Sequence, residues 1–171
     1  MNEIFTIAPD VTKKIDQWLV KYPSEQKRSA VVAALLYVQE QNQGWLSQPA
    51  MDAVAGYLQI DPIWVYEVAT FYDMYELKPR GRHKIGICTN IACMLRGAEE
   101  IADCVKKRLG INFGESTPDG KFLLREMECM AACGGAPMCQ IDDHEYHENL
   151  TPEKILSIID HLSTETSNGN G

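Results

Sequence analysis

The sequence predicts an α+β protein in which an N-terminal helical bundle is followed by a small α/β domain. Two observations favour this fold class. Apolar residues recur at helical spacing through residues 1–75, and strand-length apolar runs alternate with helical segments through residues 83–163. A basic, proline- and glycine-containing stretch at 76–82 is typical of a linker. Residues 164–171 are rich in Ser, Thr, Asn and Gly, and we expect them to form a disordered tail.

Four helices are expected in the first half. The first carries one apolar face and has Asp10 placed to cap it, and the second spans about 24–42 and ends before Gly44. Ser47 is placed to cap a short third helix. Asp61, followed by a first-turn proline, is placed to cap the fourth. Together these signals predict the bundle.

The second half is expected to contain one α/β layer. Its predicted elements are strands at 84–88, 121–127, 138–141 and 144–148, a helix at 98–109, and a final helix that starts near 151. The first two strands should be parallel, because a helix crosses between them and such crossovers are right-handed. Parallel strands end at the same edge of a sheet. The loops that follow these two strands are therefore expected to meet.

Composition excludes several classes of protein. The 171 residues include 16 Lys and Arg against 24 Asp and Glu, a net charge of −8, which is the wrong sign for a basic nucleic-acid binder. The longest apolar run, at 30–38, is far shorter than the roughly 18 residues that a membrane span needs. No secretory signal is visible, so we expect a cytosolic location, where cysteines are metal ligands or reactive thiols before they are disulfides.

All six cysteines lie between residues 88 and 139, and four of them form two close pairs. The pairs are Cys88 with Cys93 and Cys129 with Cys133, and each lies where a predicted strand ends and a loop begins. Four thiolates at one edge of a sheet make an all-sulfur site, which suits zinc or an iron–sulfur cluster. The wide gaps within the pairs favour a [2Fe-2S] cluster, because structural zinc more often uses two-residue gaps. The small residues from Ala131 to Ala136 would let backbone N–H groups approach the sulfurs.

The other titratable residues have plainer interpretations. Cys104 falls on the apolar face of a predicted helix and is expected in the core. Cys139 is expected to pack within a strand, with a role as an alternative ligand left open. His83 is expected to be solvated or packed, because no carboxylate is adjacent in sequence, and Asp142 and Asp143 are expected in an exposed turn.

Four segments of the chain together resemble one protein family. The segments 68–72, 78–83, 88–97 and 128–138 are similar to the E subunits of NADH:quinone oxidoreductase, respiratory complex I. The resemblance covers nearly the whole chain. It implies an N-terminal helical bundle followed by a thioredoxin-like α/β ferredoxin domain. It also implies one [2Fe-2S] cluster, with ligands at Cys88, Cys93, Cys129 and Cys133.

The resemblance further implies an electron-transfer subunit of an NADH dehydrogenase. The implied partners are the flavoprotein F subunit, which carries the NADH and FMN sites, and other peripheral-arm subunits, and the cluster would exchange electrons with FMN. The chain contains no G-x-G-x-x-G motif, so neither a nucleotide site nor a catalytic centre of its own is expected. The implied location is cytoplasmic, on the cytoplasmic face of the inner membrane, with membrane contact only through the complex.

Three other functions stay open at this point. The chain could be the equivalent diaphorase subunit of an NAD-linked hydrogenase or formate dehydrogenase, a freely diffusing ferredoxin, or a zinc-stabilised binding module. A free ferredoxin has little use for a helical extension over residues 1–75, which favours permanent assembly. The respiratory and hydrogenase contexts are not separated by this sequence.

Overall fold

The computed structural model describes residues 4–164, which form two compact units, unit 1 ending at Pro79 and unit 2 beginning at Arg80. The final helix includes Thr164, which we expected to start a disordered tail, and residues 165–171 of that tail lie outside the described residues. Within residues 4–164, no helix has the length and apolar character that crossing a bilayer requires.

Unit 1 is the helical bundle that the sequence predicts. Its helices are α1 (Pro9–Leu19), α2 (Val31–Gln41), α3 (Gln48–Leu58) and α4 (Pro62–Phe71), and a short 3₁₀ helix (Lys27–Ala30) precedes α2. Their apolar faces meet in one core, in which Ile15, Leu35, Leu58 and Val65 are fully buried. Burial of these faces supplies most of the stability of such short helices.

The helix ends differ in part from the expected ones. Helix α1 begins two residues earlier than an Asp10 cap requires, with Ala8 at its N-cap. Ser47 caps α3 as expected, because its Oγ accepts a hydrogen bond from the Ala50 N–H at 3.2 Å. Asp61 precedes α4, but its side chain makes no cap hydrogen bond.

Unit 2 is a four-stranded sheet with helices. Its elements are β1 (His83–Cys88), α5 (Ile91–Leu95), α6 (Ala98–Leu109), β2 (Phe122–Met127), β3 (Cys139–Ile141), β4 (Glu145–His147) and α7 (Pro152–Thr164). The strand order is β2-β1-β3-β4. Strands β1 and β2 are parallel, which confirms the expectation from the crossover rule, and the other two pairings are antiparallel.

The core of unit 2 holds the ends of β1 and β2 in place. Strand β1 is buried along its whole length, and Ile85, Leu124, Ile155 and Ile159 pack in one cluster. In the parallel register Cys88 lies opposite Met127, so both strands end at the same level. The loops that leave these ends therefore start side by side.

Side-chain contacts of His83 and Lys84 join the start of β1 to the turn between β3 and β4, and this corrects two expectations. His83 is 7% exposed and Lys84 is 2% exposed. His83 Nδ1 lies 2.8 Å from Asp142 Oδ2, and Lys84 Nζ lies 3.0 Å from Asp143 Oδ1. His83 thus has a carboxylate partner, and neither aspartate is fully exposed. The partner comes from a distant part of the chain, because β3 pairs with β1 and brings its turn back to that end of the strand.

The ion pair between Lys84 and Asp143 is expected to stabilise unit 2. Removing one partner of a buried ion pair leaves the other charge uncompensated, so we expect Asp143→Ala to lower the free energy of unfolding by about 2 kcal/mol. This figure is below the usual cost because the Asp143 side chain is 32% exposed. The matched control is Asp160→Ala, which removes a surface pair with Arg108 and should cost less than about 1 kcal/mol. Denaturant unfolding measures both values, and equal values would contradict the prediction.

Candidate metal centre

Each of the four paired cysteines lies at the edge of the sheet where β1 and β2 end. Cys88 is the last residue of β1, and Cys93 lies in the short helix α5 that follows. Cys129 follows the end of β2 by two residues, and Cys133 starts a short 3₁₀ turn, Cys133–Gly135. The fold therefore brings together two pairs that are separated by 35 intervening residues of the chain.

The sulfurs of the four cysteines share one neighbourhood. Cys129 Sγ lies 3.7 Å from Cys133 Sγ. Cys93 is hydrogen-bonded to Cys88, and the charges of Cys88 and Cys133 both act on it. The charge of Cys88 likewise acts on Cys133. All six cysteines of the chain are free, so no disulfide competes for these sulfurs.

The thiol pKa values follow from this crowding. Burial raises the pKa of the Cys93 thiol to about 11, with a further contribution from its hydrogen bond with Cys88. The hydrogen bond with Cys129 and the charge of that group raise the pKa of Cys133. These two thiols are protonated at neutral pH in the metal-free chain. Metal binding must therefore displace protons, as is general for thiolate sites.

The two pairs differ in their exposure to solvent. Cys88 and Cys93 are buried, at 3% and 2% exposure, whereas Cys129 and Cys133 are exposed. Ala98, Ala136 and Met138 pack against the buried pair and form an apolar floor. The site is therefore shielded from water on the side of Cys88 and Cys93 and exposed to solvent on the side of Cys129 and Cys133.

The remaining cysteines lie elsewhere in unit 2. Cys139 is fully buried in the core of the unit, and burial raises its pKa to about 12. Its neighbour Met138 packs with the thiols instead, because successive residues of extended chain point to opposite sides. Cys104 is half-buried against the same core as Cys139, where we expected it.

Side-chain hydrogen bonds between the two cysteine loops were not anticipated from the sequence. Thr89 Oγ1 donates to Glu126 Oε1 at 2.9 Å, and Asn90 Nδ2 donates to Glu128 Oε2 at 2.8 Å. Arg96 also reaches across, to a carbonyl of the second loop. The partners of each bond are at least 37 residues apart, so no local pattern reveals them. Helix α5 was missed as well, although Asn90, which accepts from the Ile91 N–H, is a usual N-cap residue.

The donor set fits a [2Fe-2S] cluster. Such clusters are held by four cysteine thiolates, and the two loops bring four free thiols to one edge of the sheet. Over residues 4–164, no three His, Cys, Asp or Glu side chains are grouped as ligands of one metal ion, and this includes the four thiols. Two pairs of thiols suit two irons better than one ion, because each iron of a [2Fe-2S] cluster takes two protein ligands.

Comparisons with known proteins agree with this description. The family model for thioredoxin-like [2Fe-2S] ferredoxins matches residues 15–163. The E subunit of the NADH-quinone oxidoreductase of Rickettsia bellii is 46% identical over 160 residues, which cover 94% of this chain and 91% of the relative. The mitochondrial NADH dehydrogenase [ubiquinone] flavoprotein 2 of Dictyostelium discoideum is 43% identical over 158 residues, covering 92% of this chain and 64% of that longer protein.

A solved structure with a similar fold is also known. An NAD⁺-reducing [NiFe]-hydrogenase, crystallised in the H₂-reduced state, superposes with a TM-score of 0.68 over 77% of this chain and 22% of that chain. At 18% identity this likeness concerns the fold alone. The resemblance found in the sequence is confirmed by the family match and the close relatives. The chain therefore belongs to the thioredoxin-like [2Fe-2S] ferredoxin family, within the group formed by the E subunits of NADH-quinone oxidoreductase.

Proposed function

We propose that this chain is the electron-transfer subunit of an NADH dehydrogenase complex and that Cys88, Cys93, Cys129 and Cys133 hold one [2Fe-2S] cluster. The observation that carries the proposal is the convergence of four free thiols from two distant loops at one edge of the sheet. When bound, such a cluster accepts and returns single electrons. The chain supplies its ligands, their positions and their access to solvent.

The difference in exposure suits electron exchange with a partner. The buried pair and its apolar floor exclude water on the inner side, while Cys129 and Cys133 leave the outer side open. A protein that docks on the open side approaches the sulfurs directly. The second loop is built of small residues, including Ala131, Ala132 and Gly134, so few side-chain atoms stand between the thiols and a docked surface.

The surface around the thiols has the apolar character of a docking site. Among residues 80–164, the large apolar side chains that are exposed are Ile91, Met94, Leu95 and Tyr146. The first three lie on α5 beside Cys93, at 67%, 54% and 76% exposure. Tyr146 Oη donates to the carbonyl of Met130 in the second loop, at 3.3 Å. Exposed apolar surface concentrated at a functional edge indicates an interaction site.

Acidic side chains border this apolar surface. Glu126 and Glu128 accept hydrogen bonds from the first loop, and the carboxyl group of Glu148 lies against Gly135 in the second loop. All three glutamates are exposed. The partner that fits has an apolar contact surface with basic residues at its rim. We assign this partner as the flavoprotein F subunit, with NADH and FMN bound there and electrons exchanged between FMN and the cluster.

Together with other peripheral-arm subunits the chain would lie on the cytoplasmic face of the inner membrane and contact the membrane only through the complex. A second candidate is the equivalent diaphorase subunit of an NAD-linked hydrogenase, because the four thiols and the apolar surface around them would suit a flavoprotein partner there equally well. The flavoprotein and other subunits that co-purify with the chain from its native cells distinguish the two.

The cluster itself is tested on the purified chain. We expect a red-brown protein with about two irons and two acid-labile sulfides per chain, and an electron paramagnetic resonance signal after reduction with dithionite. A colourless protein with stoichiometric zinc would refute the proposal. A second assay tests whether NADH is oxidised on the flavoprotein subunit and not on this chain. The isolated chain should not transfer electrons from NADH to ferricyanide until the flavoprotein subunit is added.

A further inference from the structure

Three side-chain hydrogen bonds connect the first cysteine loop (residues 88–97) with the second (residues 126–137). Two of them, from Thr89 and Asn90, lie next to Cys88, where a backbone hydrogen bond from Thr89 to Met127 already joins the loops. The third is made by Arg96, whose Nε donates to the carbonyl oxygen of Ala136 at 2.7 Å. It connects the loops beyond Cys93 and Cys133, the second cysteine of each pair.

Arg96 and Ala136 occupy equivalent positions in the two loops. Arg96 follows Cys93 by three residues, and Ala136 follows Cys133 by three residues. Ala136 is fully buried, so its carbonyl oxygen needs a hydrogen-bond donor inside the protein. That donor is the charged guanidinium group of Arg96, which makes the hydrogen bond a strong one. This bond therefore fixes the spacing between the chain segments that leave the two ligands.

Arg96 is also the only basic residue in either loop. The other charged residues of the two loops are acidic, Glu126 and Glu128. A cluster with four thiolate ligands is an anion, and reduction adds one more negative charge. A nearby guanidinium stabilises the reduced form more than the oxidised form and so raises the reduction potential.

We propose that Arg96 is a positioning residue, which holds the two ligand loops in register through the Ala136 carbonyl and raises the reduction potential through its charge. This inference rests on the proposed function, since it concerns the cluster held by the four cysteines. It assigns a role to a side chain that is not a ligand. The two parts of the role, hydrogen bond and charge, are separable by substitution.

The test compares Arg96→Met, which removes hydrogen bond and charge, with Arg96→Lys, which keeps the charge but not the planar donor group. The control is Arg108→Met, which removes an exposed arginine of α6 outside both loops. For the full-length, cluster-containing protein, the rate of cluster release to a chelator, the visible circular dichroism and the midpoint potential are measured. Far-UV circular dichroism confirms that each variant is folded.

We expect Arg96→Met to release the cluster about tenfold faster, the factor for loss of one charge-assisted hydrogen bond, with a changed spectrum and a more negative potential. Arg96→Lys should keep the wild-type potential and release the cluster at an intermediate rate. Wild-type release and potential in Arg96→Met, or an equal change in Arg108→Met, would overturn the inference. A wild-type chain that binds zinc instead refutes the proposed function, and zinc release from the same variants then tests the positioning role alone.

Discussion

Replacing Cys93 or Cys133 with serine is expected to abolish the cluster or leave it severely depleted. Cys93 belongs to the buried pair and Cys133 to the exposed pair, so loss of the cluster in both variants would show that each pair supplies ligands. A serine hydroxyl is a harder and far less acidic donor than a thiol, and it binds iron poorly in an all-sulfur site. Iron and sulfide content, the visible spectrum and the paramagnetic resonance signal of the purified variants measure the effect.

The matched controls are the cysteines outside the thiol neighbourhood. Cys104→Ala should keep the cluster, because Cys104 packs against the core of unit 2. Cys139→Ala should also keep it, at a cost in stability of about 1 kcal/mol for the small cavity in the core. If Cys104→Ala bleached the protein while Cys93→Ser did not, the ligand set proposed above would be wrong.

Placing two glutamates on α5, with Met94→Glu and Leu95→Glu combined, is expected to weaken binding to the flavoprotein subunit by about 1,000-fold. Both side chains are exposed on the apolar surface beside Cys93, and docking would bury the new carboxylates without partners. The helix is short and exposed at these positions, so the cluster should survive. Calorimetric titration of the flavoprotein subunit into the variant measures the affinity.

The control for this variant is Lys107→Glu, which changes the net charge by the same amount at an exposed position of α6. It should bind with nearly wild-type affinity, because the effect on α5 is local. Equal weakening by both variants would show that the net charge of the chain, and not the face around the thiols, decides the affinity. An unchanged affinity in the α5 variant would place the docking surface elsewhere.

The elements that carry the thiols could be predicted from local patterns. The strand that ends at Cys88, the helix ended by Gly110 and the strand before Cys129 each have a local signal of apolar spacing or glycine capping. The handedness of crossovers then makes the first two strands parallel. These rules are enough to place both pairs at one edge of the sheet, as the structure has them.

Contacts between distant residues were predicted poorly. His83 was expected without a carboxylate partner, yet it pairs with Asp142, which is 59 residues away. The bond from Arg96 to Ala136 spans 40 residues. Such contacts depend on which residue of one loop faces which residue of another. That register is set by strand pairing and packing and leaves no periodic signal in the sequence.

The amino-acid sequence by itself determined the kind of chemistry, because the identity and spacing of four cysteines limit the metals that they can hold. Only the tertiary structure decided that Cys88 and Cys93 are buried while Cys129 and Cys133 are exposed, and that apolar side chains gather around the open side. The physical reason is that ligand type is a property of each side chain, whereas burial and proximity arise from the packing of segments that are far apart in the chain.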